Sequence, residues 1–465
     1  MSDAPVAGDL NRGPLMVRLV SFCIPLVLGM FFHGLFNLVD LLIVGSLGPF
    51  ALAALVQASL ILMLAMVIST GVNNASIAVI SRNFGMRNYR RANANTLQSF
   101  LLLFMMSVVI GVPSVIYAKE LCQMLGSRDA ALGPATEYLQ ISMAGILTMF
   151  WLIQVTAVLR AGGDARWPMF LLIGANVLNL VLSWGLVHGS VGLPKMGVPG
   201  AAWGTVIARG VFMVFGLYLI TRPTSPVKLI LRGFRIRWRM LWNLTRIGIP
   251  SSTQFVVRVV SYGFLLRYAT YFGNEVAISA AFAVGSRLDL LAIFTGTGWG
   301  AGAAAIVGQG LGAGLRDRAS HAGWLAALFN AIMMAGAGVI FYVYAPWFVD
   351  VFGQNPNIDP KFALTHDMAV EYLRISVIGF PFMGIAISLA QTLNGAGSTK
   401  TPLTIDAICY LAIQAPLAWY LGTHHEVDGY TRSHLWWTLV GVNMLAAITY
   451  VIVWRVGHWK HKQIQ

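Results

Sequence analysis

The chain is 465 residues long, 57% hydrophobic and only 10% charged, with a mean hydropathy of +0.72 and a formal net charge of +14. A soluble domain carries about 25% charged residues, so composition alone excludes a water-soluble protein. The cationic excess sits in one set of loops, which excludes nucleic-acid binding as its reason and points to a membrane topology.

In chain order, a polar start over residues 1–14 has no small-residue cleavage site and precedes a span too long for a signal-peptide core. It predicts a retained tail. Apolar stretches of about 20 residues, each able to cross ~30 Å of hydrocarbon, predict spans at 15–43, 52–80, 95–118, 137–160, 167–188 and 199–220. A basic linker over 221–246 follows, then spans at 247–270, 277–307, 322–345, 371–393, 402–421 and 436–457 and a tail over 458–465. The prediction is an all-α polytopic membrane protein of twelve transmembrane helices.

The two halves repeat one another. Glu137 to Pro168 (EYLQISMAGILTMFWLIQVTAVLRAGGDARWP) aligns without a gap to Glu371 to Pro402 (EYLRISVIGFPFMGIAISLAQTLNGAGSTKTP) at an offset of about 234 residues. Ile24-Pro25 is echoed by Ile249-Pro250, and Phe84-Gly85 with Arg91-Ala92 by Leu311-Gly312 with Arg318-Ala319. An even number of spans per half gives both halves one orientation. The expected architecture is therefore two parallel six-helix lobes, 15–220 and 247–457, around a central cavity.

With the N-terminus inside, the inner loops hold Arg12, Arg82, Arg87, Arg90, Arg91, Arg166, Arg316, Lys400, Arg455 and the linker, while the outer loops hold Lys119, Arg128, Lys195, Lys361 and Arg432. That bias predicts a multi-pass protein of the cytoplasmic (inner) membrane with both termini cytoplasmic. The linker TRPTSPVKLILRGFRIRWRM reads as a topological anchor on the inner leaflet, or as a site for anionic lipid or a partner. Cys23, Cys122 and Cys409 lack CxxC spacing, and the histidines lack HExxH spacing, so neither a disulfide framework nor a metal site is expected.

Ionisable groups within spans usually face a cavity or a partner. Asp40 stands in span 1, with Leu265 at the repeat-equivalent place; apart from Arg209 on span 6, no cation of its lobe's spans lies nearby. A carboxylate taken out of water is driven to take up a proton or to bind Na⁺. Asn176 and Asn179, three apart on span 5, share a helix face, and Thr205 on span 6 adds a hydroxyl, so the four residues form a candidate ion-coupling site. The competing reading is a hydrogen-bond cluster that glues the lobe. Arg258, Asp289 and Asp406 in the second half are expected to form one paired network, structural or in contact with substrate. Pro25 is a candidate hinge on the helix of Asp40. The run Gly296 to Gly314 allows close helix approach but lacks the lysine of a phosphate loop. Trp151, Trp184, Trp203 and Trp299 line a drug cavity or, more commonly for such residues, pack or anchor at the interface. His33 and His188 are the candidate intramembrane bases, and neither has a catalytic set beside it in sequence, which argues against an enzyme.

On these residues the chain resembles the multidrug and toxic compound extrusion (MATE) family. The likeness is carried by NLVDLLIVGSLGPFALAAL at Asn37 to Leu55, VLRAGGDARWPM at Val158 to Met169, GIP at Gly248 to Pro250, and the segment from Ser286 to Gly314. The resemblance implies a V-shaped pair of lobes that exports organic, often cationic, compounds in exchange for H⁺ or Na⁺ by alternating access. It implies that Asp40 binds the coupling ion with Asn179 and Thr205 around it. Where some members carry a second aspartate on span 5 this chain has Ser183, and where others carry a glutamate after the span-7 proline it has Arg258. One carboxylate favours H⁺ over Na⁺. The partners expected are a small organic substrate and the bilayer, with no other cofactor, and the chain is expected to act as a monomer. A lipid-linked oligosaccharide or lipid flippase, an exporter of an anionic natural product and, remotely, a membrane-embedded enzyme are the competing readings.

Overall fold

A chain in hydrocarbon must satisfy its backbone within its own helices, and the computed structural model shows this. It describes residues 8–127, 131–190, 192–222, 225, 229–230, 235–273, 275–351, 363–425 and 429–462, less the side chains at 37, 38, 40–42, 49, 50, 52 and 53. The first half runs as α1 (Leu15–Gly45), α2 (Pro49–Gly85), α3 (Tyr89–Ile116), α4 (Leu132–Ala144 with Ile146–Ala161), α5 (Arg166–His188) and α6 (Val198–Thr221). The second runs as α7 (Trp238–Ala269), α8 (Glu275–Gly312), α9 (Arg316–Val343), α10 (Ala363–Gly395), α11 (Lys400–Thr423) and α12 (Arg432–Val456). Short helices Ala118–Met124 and Ala345–Val351 follow α3 and α9.

Among the described residues ten helices are long and apolar enough to cross a membrane, and eleven when α4 is taken as one span. The remaining long helix is α7, where 32 residues carry Arg239, Arg246, Arg258 and Arg267. It starts at Trp238 and so takes in the last part of the predicted linker.

The sequence repeat is a structural repeat. The halves of α4 meet at Gly145 with a 48° bend. The matching Gly379 closes a 3-10 turn, Val377–Gly379, inside α10. Both repeats then turn on a left-handed glycine, Gly163 at φ 85° and Gly397 at φ 78°, a conformation that costs a residue with a Cβ. Within each half a buried carboxamide joins neighbouring helices. Gln154 on α4 donates to Ser99 on α3 at 2.6 Å, and Asn330 on α9 donates to Ser388 on α10 at 2.9 Å.

The halves cross-pair. α1 packs on α5 in its own half and on α8 in the other, while α7 packs on α11 and on α2. Small residues permit this: a Cβ on Gly298 would stand 2.5 Å from the Val27 Cα, and one on Gly71 2.4 Å from the Gly248 carbonyl. Asn74 donates to Ser251 across the seam at 2.8 Å.

At the end of the molecule that holds both termini, the halves close tightly. Gly85 presses on the Gln309 carbonyl and Gly312 on the Arg82 carbonyl, each at 2.1 Å from a built Cβ. The N-terminal segment threads this junction. Gln309, fully buried, accepts from the Leu10 amide at 3.1 Å and donates to the Ala161 carbonyl at 3.0 Å and the Gly8 carbonyl at 3.4 Å. One side chain of the second half therefore holds the tail and the first half together. Gln309→Ala should orphan buried backbone groups at a cost of about 1–3 kcal/mol and raise the population open at this end. Thiol labelling of a cysteine placed at Ala161 would report it as faster modification; an unchanged rate would show that the junction does not depend on Gln309.

Candidate functional site

Each half holds a polar cluster, and the two clusters differ in kind. In the first half, α1, α5 and α6 enclose a small cavity of about 60 Å³. Its wall includes His33 from α1, Asn176 and Asn179 from α5, and Thr205 and Arg209 from α6, against Phe36, Met66 and Met149. The 3.6-residue period explains the α5 pair, three positions apart, and the α6 pair, four positions apart. Asn179 Nδ2 donates to Thr205 Oγ1 at 2.9 Å and to Ser183 Oγ at 3.0 Å, and Thr205 Oγ1 donates back to the Ala201 carbonyl at 2.9 Å. The His33 ring reaches the Asn176 side chain and lies within electrostatic range of Arg209. The Asn176 amide nitrogen is buried without a hydrogen-bond partner.

Three of the four residues expected to form the ion-coupling site thus come together. The fourth, Asp40, is placed on α1 by its backbone, but its side chain lies outside the described residues. It stands seven residues beyond His33, two helical turns, so the two positions share a helix face. Pro25 lies inside the same helix, which crosses the seam against α8. Sequence reasoning placed His33 and Arg209 within spans without joining them to this cluster. The i, i+7 relation of His33 to Asp40 and the i, i+4 relation of Thr205 to Arg209 were the available signals. Ser183, which replaces a family aspartate, is itself part of the cluster.

In the second half the expected single network of Arg258, Asp289 and Asp406 is two separate sites. Arg258 Nε donates to Asp406 Oδ2 at 2.7 Å. Asp406, fully buried, also accepts from Tyr450 Oη at 2.7 Å and from Gln254 Nε2 at 3.0 Å, so both carboxylate oxygens are occupied. Asn394 donates to Gln254 Oε1 at 3.3 Å, and the Arg258 guanidinium stands 5.5 Å over the Tyr410 ring. A π-helical turn, Ala407–Gln414, begins directly after Asp406. Within it the Tyr410 carbonyl accepts from Ser261 Oγ on α7 at 2.9 Å.

Asp289 is 2% exposed and has no cationic partner among the described residues. Its oxygens are met by Tyr372 Oη at 2.6 Å and Ser376 Oγ at 3.2 Å, both on α10. The physical reason for the split is that Arg258 and Asp406 meet across the α7–α11 contact, while Asp289 on α8 faces α10. Tyr372 follows the glutamate that opens the repeat, yet nothing in the repeat itself marked it as a carboxylate partner. Of the four tryptophans, Trp299 is buried and stacks on Phe329 with ring centroids 5.3 Å apart, a packing role. Trp184 and Trp203 are largely exposed.

The MatE family model matches residues 25–184 and 253–420. The chain is 24% identical over its whole length to the probable multidrug resistance protein YoeA of Bacillus subtilis (strain 168), covering 98% of that protein. It is 24% identical to the probable multidrug resistance protein NorM of Brucella suis biovar 1 (strain 1330), over 97% of this chain and 95% of that one. Among solved structures, a MATE in complex with MaL6 superposes with a TM-score of 0.89 at 23% identity, over 97% of this chain and 98% of that one. An outward-facing multidrug resistance MATE transporter of the MOP superfamily superposes with a TM-score of 0.88 at 22% identity, over 98% of each chain. With the repeated lobes, the first-lobe polar cavity and a family match over most of its length, the chain belongs to the MatE (multidrug and toxic compound extrusion) family of membrane transporters.

Proposed function

We propose that this transporter is a secondary active antiporter of the cytoplasmic membrane, exporting organic, often cationic, compounds in exchange for a cation bound in the first lobe. Both termini are cytoplasmic in this reading, so the tightly closed end faces the cytoplasm. The observation that carries the reading is the cavity of α1, α5 and α6. It gathers Asn176, Asn179, Thr205 and Arg209 with His33, whose position shares a helix face with that of Asp40, and α1 also forms the seam with α8. A change of charge at Asp40 would act on the helix that joins the lobes, with Pro25 as the point of bending. A ligand drives such a cycle only through different affinities for the two states.

H⁺ is the better coupling ion on this geometry. Arg209 and His33 line the cavity, and a second cation beside a guanidinium is repelled in a low-dielectric site. The buried, unpartnered Asn176 amide is a donor, suited to a carboxylate and not to a bare Na⁺. Adding substrate to the purified protein in weakly buffered detergent should release protons into the medium. Binding without proton release would overturn H⁺ exchange. Asn179→Ala removes the link between Thr205 and Ser183. It should lower the transport rate severalfold at a cost of about 1–2 kcal/mol in stability, and transport at the unaltered rate would show the cluster to be only structural.

One observation favours a second reading, export of an anionic product. The Arg258 side chain is 25% exposed, and its Nη2 is left without a partner despite the Asp406 bond. Competition of a cationic dye by organic anions separates the two readings.

A further inference from the structure

The linker between the halves is strapped to the first lobe, and the strap makes a recess. Asn93 on α3 donates from Nδ2 to the Ile230 carbonyl at 3.2 Å and accepts from the Ile230 amide at 3.0 Å. Five residues on, Gln98 donates from Nε2 to the Arg235 carbonyl at 2.7 Å and accepts from the Arg237 amide at 3.2 Å. Each carboxamide thus closes a ring with the linker backbone, as a neighbouring strand would. Between the strap, α3, the end of α2 and the start of α7 lie two adjoining clefts of about 550 and 790 Å³ that share Arg91, Arg237 and Met240.

These clefts are built from guanidinium groups. Arg90 and Arg91 come from α3, Arg235 and Arg237 from the strap, Arg82 from α2 and Arg239 from α7. No aspartate or glutamate lines either cleft, and none occurs between residues 41 and 119 or between 165 and 274. Every one of the six lacks a salt-bridge partner among the described residues. Charge on this scale without a counter-ion is held apart only by water or by an anion. The same end repels cations elsewhere: burial, then Lys400 and Arg246, push the Lys462 ammonium below its usual range. A topological bias alone puts arginines in a loop; it does not set six of them, five exposed and Arg82 half-buried, around the same pair of clefts. The rim is apolar, with Trp238, Ile236, Met86 and Trp242 all at least half exposed. That combination suits a molecule with a phosphate at one end and hydrocarbon at the other.

We propose that this cleft is a binding site for the phosphate head group of an anionic phospholipid from the membrane leaflet at the terminal end. The phosphate is held between Arg91 and Arg237, whose planar forks match its oxygens, and the acyl chains lie over Trp238 and Trp242. Occupancy ties the linker to α3 and α7, so the site bears on the relative position of the two halves. It does not depend on which ion or substrate the protein carries.

The test is native mass spectrometry of the full-length protein released from nanodiscs containing phosphatidylglycerol and phosphatidylcholine in equal amounts. Wild type is expected to retain phosphatidylglycerol selectively. Arg91→Gln with Arg237→Gln should weaken its retention by about thirtyfold, given ~1 kcal/mol for each cation at a membrane surface. Lys400→Gln with Arg455→Gln removes the same charge from the same end and should change retention much less, since neither group lines either cleft. Equal loss in both pairs would show diffuse attraction and overturn the site. So would displacement of the lipid by glycerol 3-phosphate at matched concentration, which would make the ligand a soluble phosphate compound.

Discussion

Asp40→Asn is expected to abolish gradient-driven efflux, reducing resistance of cells carrying the variant to the level of cells without the transporter. The substitution keeps shape and removes the titrating group. Apart from Glu137 at the outer end of span 4, Asp40 is the sole carboxylate within the predicted spans of the first half, and the described cavity beside its position offers only neutral amides, a hydroxyl, the His33 imidazole and the Arg209 guanidinium. The other proton carrier there, His33, lies within electrostatic range of the Arg209 guanidinium, which repels a second positive charge, so coupling falls to Asp40 and the loss should be complete. The variant should still insert and fold. The lobe is held by Gln154–Ser99, Asn179–Thr205 and the apolar core around Met143 and Phe150, none of which uses Asp40. Equal amounts of variant and wild type in the membrane, with efflux lost in one, is the expected pairing. Efflux retained at the wild-type rate would move the coupling site elsewhere.

Arg258→Ala should be the most damaging single change to stability. Removing one partner of a buried ion pair leaves the other uncompensated, at a cost of about 3–5 kcal/mol. Asp406 is fully buried, and Tyr450 and Gln254 alone would face its charge. The Arg258 guanidinium also stands over the Tyr410 ring, so the change forfeits that contact as well as the ion pair. The pair Arg258→Met with Asp406→Leu should recover much of the loss, because no charge then remains to be solvated. Thermal unfolding of the purified protein measures both. A double variant as unstable as Arg258→Ala would show that the charges were not the source of the cost. Asp289→Asn should cost less, since Tyr372 can still donate to the amide oxygen while Ser376, which also donates to the Leu373 carbonyl, can accept from the new amide nitrogen.

Much of the fold was legible because hydrocarbon restricts the chain to helices and because a duplication writes its plan twice. Gly145 with Gly379 and Gly163 with Gly397 recur at one spacing, and they mark the helix breaks and turns found in both halves. α7 was harder to delimit, because its arginines make the first turns read as linker. The candidate site was half legible. Asn176, Asn179 and Thr205 follow from helical period on adjacent spans. The separation of Asp289 from the Arg258–Asp406 pair was not legible, since it rests on which face of α8 meets α10 and no period within one helix carries that. His33 was passed over because a lone histidine is usually a satisfied core residue, and only the folded lobe brings it to Asn176.

The central claim is that a cation gradient drives export through the first lobe. It is tested most directly by substrate flux in proteoliposomes of uniform orientation, under an imposed H⁺ gradient, an imposed Na⁺ gradient or neither, with wild type and Asp40→Asn side by side. A panel of organic cations and anions serves as substrate. The account predicts accumulation against a concentration gradient in wild type under the H⁺ gradient, no response to Na⁺ alone, and neither response in Asp40→Asn. Flux that is indifferent to both gradients, or that Asp40→Asn leaves intact, would contradict it.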